Sequence, residues 1–212
     1  MLKGEIFSTE MVRAWVDRRK VHTARPIPND AEIHIHGNEV MVTRPKKFAD
    51  EHCRFHPLEP KHRPGDYIYF RETWGDYDGQ ASYYTYKADY PDGAKTYEWP
   101  EPDEFGEKII CDLPKWKPSI HMPKGAARHF AKVTRVEVIS IDDVTEQFAV
   151  EDGFINDDKL YGMGNPPLGE KKNETALMKF VDFWQQTYGE TKWMWVYWLE
   201  PCSKEEAYGG AG

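Results

Sequence analysis

Lys192-Trp193-Met194-Trp195-Val196-Tyr197-Trp198-Leu199-Glu200 is apolar on both alternations of a strand. Trp193, Trp195 and Tyr197 fall on one side, and Met194, Val196 and Trp198 on the other. Successive side chains of a strand point to opposite faces, so this pattern predicts a strand buried on both. Upstream, Leu177, Phe180, Val181, Trp184 and Tyr188 recur at helical spacing. Asn173 or Thr175 is the candidate cap of that helix, and Gly189 its stop.

Further outward the pattern alternates between short strands and long excursions. His129 to Ile141 is β-rich, and a short helix follows from about Thr145 to Asp152, stopped by Gly153. The turn Gly65-Asp66 precedes Tyr67-Ile68-Tyr69-Phe70-Arg71-Glu72-Thr73-Trp74, a strand candidate, and Ser82 to Lys87 is another. Glu32–Gly37 and Glu39–Arg44 read as strands around Gly37-Asn38. Ser8 or Thr9 caps a helix of about ten residues, with Met11, Val12, Trp15 and Val16 as its buried stripe. Pro26 and Pro28 close that region. Residues 45–64, 91–118 and 155–172 read as loop insertions, and 203–212 as a loose, flexible tail. Many short strands with few helices indicate one mixed α+β domain over 1–202, built on a strongly bent sheet or small barrel.

The bulk numbers narrow the function. With 212 residues, 40% apolar and 30% charged, the chain suits one large domain, and no apolar run approaches a membrane span. Its start lacks the hydrophobic core of a secretory signal. Cys53, Cys111 and Cys202 are odd in number and far apart, which argues for a reducing compartment and a cytoplasmic protein. The net charge of -8 disfavours long nucleic acid as the first partner, although residues 1–26 hold six Lys/Arg against three Asp/Glu. A small neutral ligand fits better. Eight Trp, twelve Tyr and ten Phe suit either a flat ligand or an aromatic core.

The chemistry centres on Arg19-Lys20-Val21-His22-Thr23-Ala24-Arg25. A threonine hydroxyl becomes a nucleophile only when a base takes its proton. A lysine can be that base only if its surroundings lower its pKa well below about 10.4. The competing reading is a solvated basic helix end. His52-Cys53-x-x-His56 with His62 has zinc-ligand types but no paired C-x-x-C spacing, so neither metal nor cofactor is expected. His34 and His36 share one face of a strand, a solvated one. Gly162-Met163-Gly164-Asn165 is too short for a phosphate loop.

Phe7-Ser8-Thr9-Glu10-Met11-Val12-Arg13-Ala14, Arg19-Lys20-x-x-Thr23-x-Arg25, and Gly65-Asp66 leading into Arg71-Glu72-Thr73-Trp74 match a known family in order. So do Lys117-Pro118-Ser119-Ile120-His121-Met122-Pro123, Val144-Thr145-Glu146-x-x-Ala149-x-x-Asp152-Gly153 and the run Trp193 to Glu200. Together these cover about half the chain. They resemble the ASCH domain, a branch of the PUA-like β-barrel superfamily, and especially its larger phage-associated members. The resemblance implies a PUA-like small β-barrel with a few peripheral helices.

Some small bacterial ASCH proteins deacylate N4-acetylcytidine with a lysine, a threonine and a glutamate. By position these are Lys20, Thr23 and Asp152, with Glu151 as the alternate carboxylate. Aspartate retracts the carboxyl group by roughly 1.5 Å, and about 1 Å of misplacement costs on the order of a hundredfold in rate. Arg71, Trp74 and His121 are candidate substrate contacts because they lie in matching segments. Trp74 could equally be core, and Arg71 with Glu72 a structural ion pair. The implied activity is an amidohydrolase acting on N4-acylated cytosine or cytidine, with a modified nucleoside or base as partner. Two mechanisms stay open: Thr23 attacks after Lys20 takes its proton and Asp152 protonates the amine, or Lys20 and the carboxylate activate water directly. The rival is a non-catalytic module that binds RNA or modified nucleotides, with exposed aromatics stacking on bases.

Overall fold

A computed structural model describes residues 1–36, 39–45, 55–76, 84–98, 104–156 and 174–209. Its centre is a five-stranded mixed sheet in the order β1-β6-β11-β12-β2. These strands are β1 (Leu2–Ile6), β2 (His22–Pro26), β6 (Tyr67–Arg71), β11 (Phe130–Ser140) and β12 (Trp193–Pro201). β1 runs parallel to β6 with Leu2 opposite Tyr67, and the other pairings are antiparallel. A register shift between Val133 and Arg135 bends β11 against β12.

The tryptophan-rich strand is covered on both faces. Tyr197 and Leu199 join Phe7, Val12, Trp15, Ile68, Phe70, Ala131 and Val133 in one cluster. Met194 and Val196 join Phe148, Ala149, Phe180 and Trp184 in another. Helix α1 (Thr9–Val16) covers the first face; α2 (Glu146–Glu151) and α3 (Ala176–Tyr188) cover the second. Each fully buried large apolar side chain contributes about 1.5–3 kcal/mol, so this two-sided coverage fixes where the helices dock.

Helix starts follow the expected chemistry. Ser8, Thr145 and Thr175 accept hydrogen bonds from the backbone N–H of Met11, Phe148 and Met178. Glu146, in the first turn of α2, accepts from the Ala176 and Leu177 N–H groups at 3.0 and 3.1 Å, which ties the start of α3 to α2.

The other strands lie outside this sheet. β3 (Glu32–His36), β4 (Glu39–Pro45) and β5 (Phe55–Pro57) form an antiparallel sheet. β7 (Trp74–Asp76) pairs with β8 (Tyr84–Tyr86), and β9 (Thr96–Glu98) with β10 (Ile110–Asp112). Helix α4 (Lys204–Gly209) follows β12. No helix among the described residues is long and apolar enough to cross a membrane.

The chain is mixed α+β, and it departs from the sequence reading in several places. Among the described residues no ladder joins β1 to β2, so the main sheet is not a closed barrel. Its two edges meet through a side chain instead. Arg25 Nε lies 3.1 Å from Glu5 Oε2, and Arg25 Nη2 donates to the Ile6 carbonyl at 3.1 Å. The strand expected over 67–74 ends at Arg71, because Glu72 turns inward to a bidentate pairing with Arg128 at 2.9 and 3.0 Å. Within the insertions expected at 45–64 and 91–118 stand β5 and the β9–β10 hairpin. Residues 157–173, and with them Gly162 to Asn165, lie outside the described residues. Val16, the last residue of α1, is 55% exposed rather than part of the buried stripe. The expected loose tail holds α4, whose Ala207 is fully buried and whose Tyr208 meets Phe130 edge to face.

Candidate active site

Lys20 lies between α1 and β2, and three backbone contacts place it there. The Lys20 N–H donates to the Ala14 carbonyl, Val21 N–H to Glu151 O at the end of α2, and Arg19 Nη1 to Gly153 O. The C-terminal end of α2 is therefore docked against the approach to β2. Gly153 makes the docking possible. Its φ is +109°, and a Cβ there would stand 2.9 Å from the Ala14 Cβ.

The Lys20 amine reaches back to the residue that caps α2. Nζ donates to the Asp152 carbonyl at 2.6 Å and lies 2.9 Å from Asp152 Oδ1. Both side chains are almost wholly buried. Burial pulls the Lys20 amine below the ordinary lysine range; Asp152 opposes this and Arg25 adds to it. For Asp152, burial alone would raise the pKa, but Lys20 and His22 outweigh it and hold the carboxyl below the usual range. A carboxylate results.

Thr23 and Arg25 alternate on β2 and so share a face. Arg25 Nη1 donates to Thr23 Oγ1 at 2.8 Å and also to Ala24 O. With its oxygen accepting from the guanidinium, the threonine hydroxyl keeps its own proton for another partner. Glu5 anchors Arg25 from behind and is bonded by His62 Nε2 at 2.8 Å and paired with Lys61. Burial alone would raise the Glu5 pKa; the His62 hydrogen bond and the charges of Arg25 and Lys61 bring it down to about 2.

Lys20, Thr23, Arg25 and Asp152 line one pocket with Phe7, Met11, Phe183, Trp184 and Tyr188. The pocket is narrow, with about 70 Å³ of room. It adjoins a larger cavity of about 480 Å³, and the two share Ser8, Met11 and Phe183 as lining. Phe154 and Ile155 complete its apolar side.

The three residues carried over from the resemblance thus share one pocket. No protein-family model, curated protein or solved structure matches this chain.

The pocket geometry separates the two candidate carboxylates. Asp152 faces Lys20, whereas Glu151 Oε1 accepts from Gln147 Nε2 at 2.6 Å on the exposed side of α2. Arg71, Trp74 and His121 do not line the pocket. Arg71 donates to the Ile120 carbonyl. Trp74 is 6% exposed, lies edge-on to Tyr84, and carries Lys117 Nζ 4.7 Å above its ring. His121 is exposed in a single 3₁₀ turn, Ser119–His121. These three belong to another part of the fold. Of the zinc-type cluster, His52 and Cys53 lie outside the described residues, and His62 is turned to Glu5.

Sequence reasoning missed Arg25 as the anchor of Thr23, although the two-residue strand spacing signals it. It also missed Glu5, which only the meeting of the two sheet edges brings near.

Proposed function

We propose that this chain is an amidohydrolase for N4-acylated cytosine or cytidine, built on an ASCH-type, PUA-like fold. One observation carries the reading: a buried lysine paired with a buried aspartate lines the same pocket as a threonine whose oxygen is held by an arginine. Amide hydrolysis needs an activated hydroxyl, a proton for the departing amine and a donor to the oxyanion. The four residues supply these parts without a further group.

In the neutral form, the Lys20 amine has two N–H donors and one lone pair. Asp152 takes both donors, through its carbonyl and its carboxylate, which leaves the lone pair for the pocket. Lys20 then accepts the proton of the attacking hydroxyl, from Thr23 or from a water beside it. The new C–O bond forms at the acyl carbon, and Arg25, already bonded to Thr23, is the cation that serves the oxyanion. As the C–N bond breaks, the Lys20 ammonium returns its proton to the exocyclic nitrogen. If Thr23 attacked, water hydrolyses the resulting ester by the same proton path. Asp152 stays a carboxylate throughout and stabilises the transient ammonium, a better use of a depressed pKa than donating a proton. The small acyl group fits the narrow pocket, and the flat base fits the apolar cavity beside Phe183, Phe154 and Met11.

The test is the ultraviolet change on mixing the protein with N4-acetylcytidine, alongside Lys20→Ala and Thr23→Ala. Deacylation by wild type that is lost in Lys20→Ala supports the reading. No turnover across several acyl groups overturns it, and affinity for RNA falling steeply with salt would then assign a binding module.

A further inference from the structure

His22 is fully buried beside the proposed catalytic pair and is not among the residues that line the pocket. Its ring lies 4.2 Å from the Phe148 ring and 4.9 Å, edge to face, from Trp198. Nδ1 stands 3.3 Å from Asp152 Oδ1, the same oxygen that Lys20 approaches. Neither Nδ1 nor Nε2 completes a hydrogen bond, so the Nδ1 approach to Asp152 is an electrostatic contact. Buried imidazole nitrogens left without partners cost the hydration they had in water. Such a cost, in a place where a phenylalanine would pack against Phe148 and Trp198, needs a return.

We propose that His22 is a positioning residue for the Lys20–Asp152 pair, the dipole of its Nδ1–H bracing the carboxylate oxygen that the lysine amine uses. This rests on the amidohydrolase reading for its catalytic consequence, but not for its geometry. Nδ1 carries the proton because the Asp152 carboxylate stands beside it, whereas Nε2 has no hydrogen-bond partner. Asp152 caps α2 on a single rotatable stem. With Lys20 alone, the carboxylate could swing with the amine; a second contact from β2 holds it in place. Asp152 approaches the ring from the end of α2, and Lys20 meets the same carboxylate oxygen from between α1 and β2. Behind Trp198 stand Glu137, 2.6 Å from the indole Nε1, and Arg135, 4.4 Å from the ring centre.

The experiment compares His22→Phe, His22→Asn and His22→Gln. Phenylalanine keeps the ring packing and loses the donor; the asparagine amide reaches the Nδ1 position, and the longer glutamine amide reaches past it. Two readouts are taken: kcat and KM on N4-acetylcytidine, and the titration of the Lys20 side chain by NMR in isotope-labelled protein. His22→Phe should lower kcat about tenfold to a hundredfold, the scale of a small misplacement, with KM within about twofold. It should also move the Lys20 titration upward, because a carboxylate freed from His22 binds the ammonium more strongly. His22→Asn should restore both, and His22→Gln should behave as His22→Phe. An unchanged Lys20 titration in His22→Phe overturns the proposal. So does an asparagine variant as impaired as the phenylalanine one, which would assign ring packing alone. If wild type shows no deacylation, the amidohydrolase reading fails by itself, and the Lys20 titration series still decides the role of His22.

Discussion

Lys20 Nζ lies 2.9 Å from Asp152 Oδ1, although 132 residues separate the two in the chain. The contact is made where the end of α2 docks on the approach to β2, and it selects between neighbouring carboxylates. Asp152→Asn removes the charge that stabilises the transient Lys20 ammonium and should reduce deacylation about 10²–10⁴-fold, the range for disabling the general base it supports. Glu151→Gln, which alters only an exposed contact to Gln147, should stay within about twofold. Steady-state rates of both variants, with melting temperatures to confirm folding, check this. Equal losses would shift the assignment away from Asp152.

Arg25 joins the two edges of the main sheet and holds Thr23 at once. Arg25→Leu removes a charge-assisted hydrogen bond to Glu5 as well as the Thr23 anchor. It should cost about 1.5–3 kcal/mol of stability, the scale for hydrogen bonds to charged groups, together with most of the activity. Arg25→Lys should recover little, because one ammonium does not reproduce the fork that reaches Glu5, Ile6 and Thr23. Urea unfolding midpoints of the two variants decide it.

One half-buried group and one buried group give the stability a pH dependence of the same sign. Burial holds the His129 ring at a pKa of about 4, against 6.5 for the free group. As pH falls through 6.5 the unfolded chain binds this proton first, so stability drops between 6.5 and about 4. Glu5 is depressed to about 2 from 4.5. Its contribution is complete above 4.5 and is lost as pH falls toward 2. Urea midpoints from pH 7 to pH 2 should fall in two stages. His129→Gln should flatten the upper stage and Glu5→Gln the lower. Variants with wild-type slopes would show that these groups do not govern acid unfolding.

Gly153 occupies a left-handed conformation against Ala14 and Met11. Gly153→Ala combines a backbone strain of about 1–3 kcal/mol with a close contact at the docking point of α2. In a chain of this length each kcal/mol lowers the melting temperature by about 2–4 °C. Scanning calorimetry should therefore show a drop of several degrees. Activity should fall as well, because the same docking places Lys20 beside Asp152. A melting temperature equal to wild type would contradict the close packing of α1 on α2.

Periodicity and capping made the elements legible. The two apolar alternations of 193–199 announced a strand covered on both faces, and Tyr197 and Met194 lie in opposite clusters. Thr145, Thr175, Gly153 and Gly189 marked helix ends, because caps and left-handed turns are local chemistry. Lys20 and Thr23 were legible as candidates from their spacing, and Asp152 only as what the family resemblance implies. Which carboxylate meets the lysine was not, since Asp152 and Glu151 differ only in the direction each takes from the end of α2. Arg25 with Glu5, His22 with Asp152, and Glu72 with Arg128 are pairings between distant strands and helices. No local pattern encodes them. The sequence by itself determined the strongly periodic strands and capped helices, though not β5, β9, β10 or α4, and the Lys20/Thr23 pair as a candidate for chemistry. Only the tertiary structure decided which of those residues share a pocket, because burial and long-range electrostatics depend on how the sheet curls and where the helices dock.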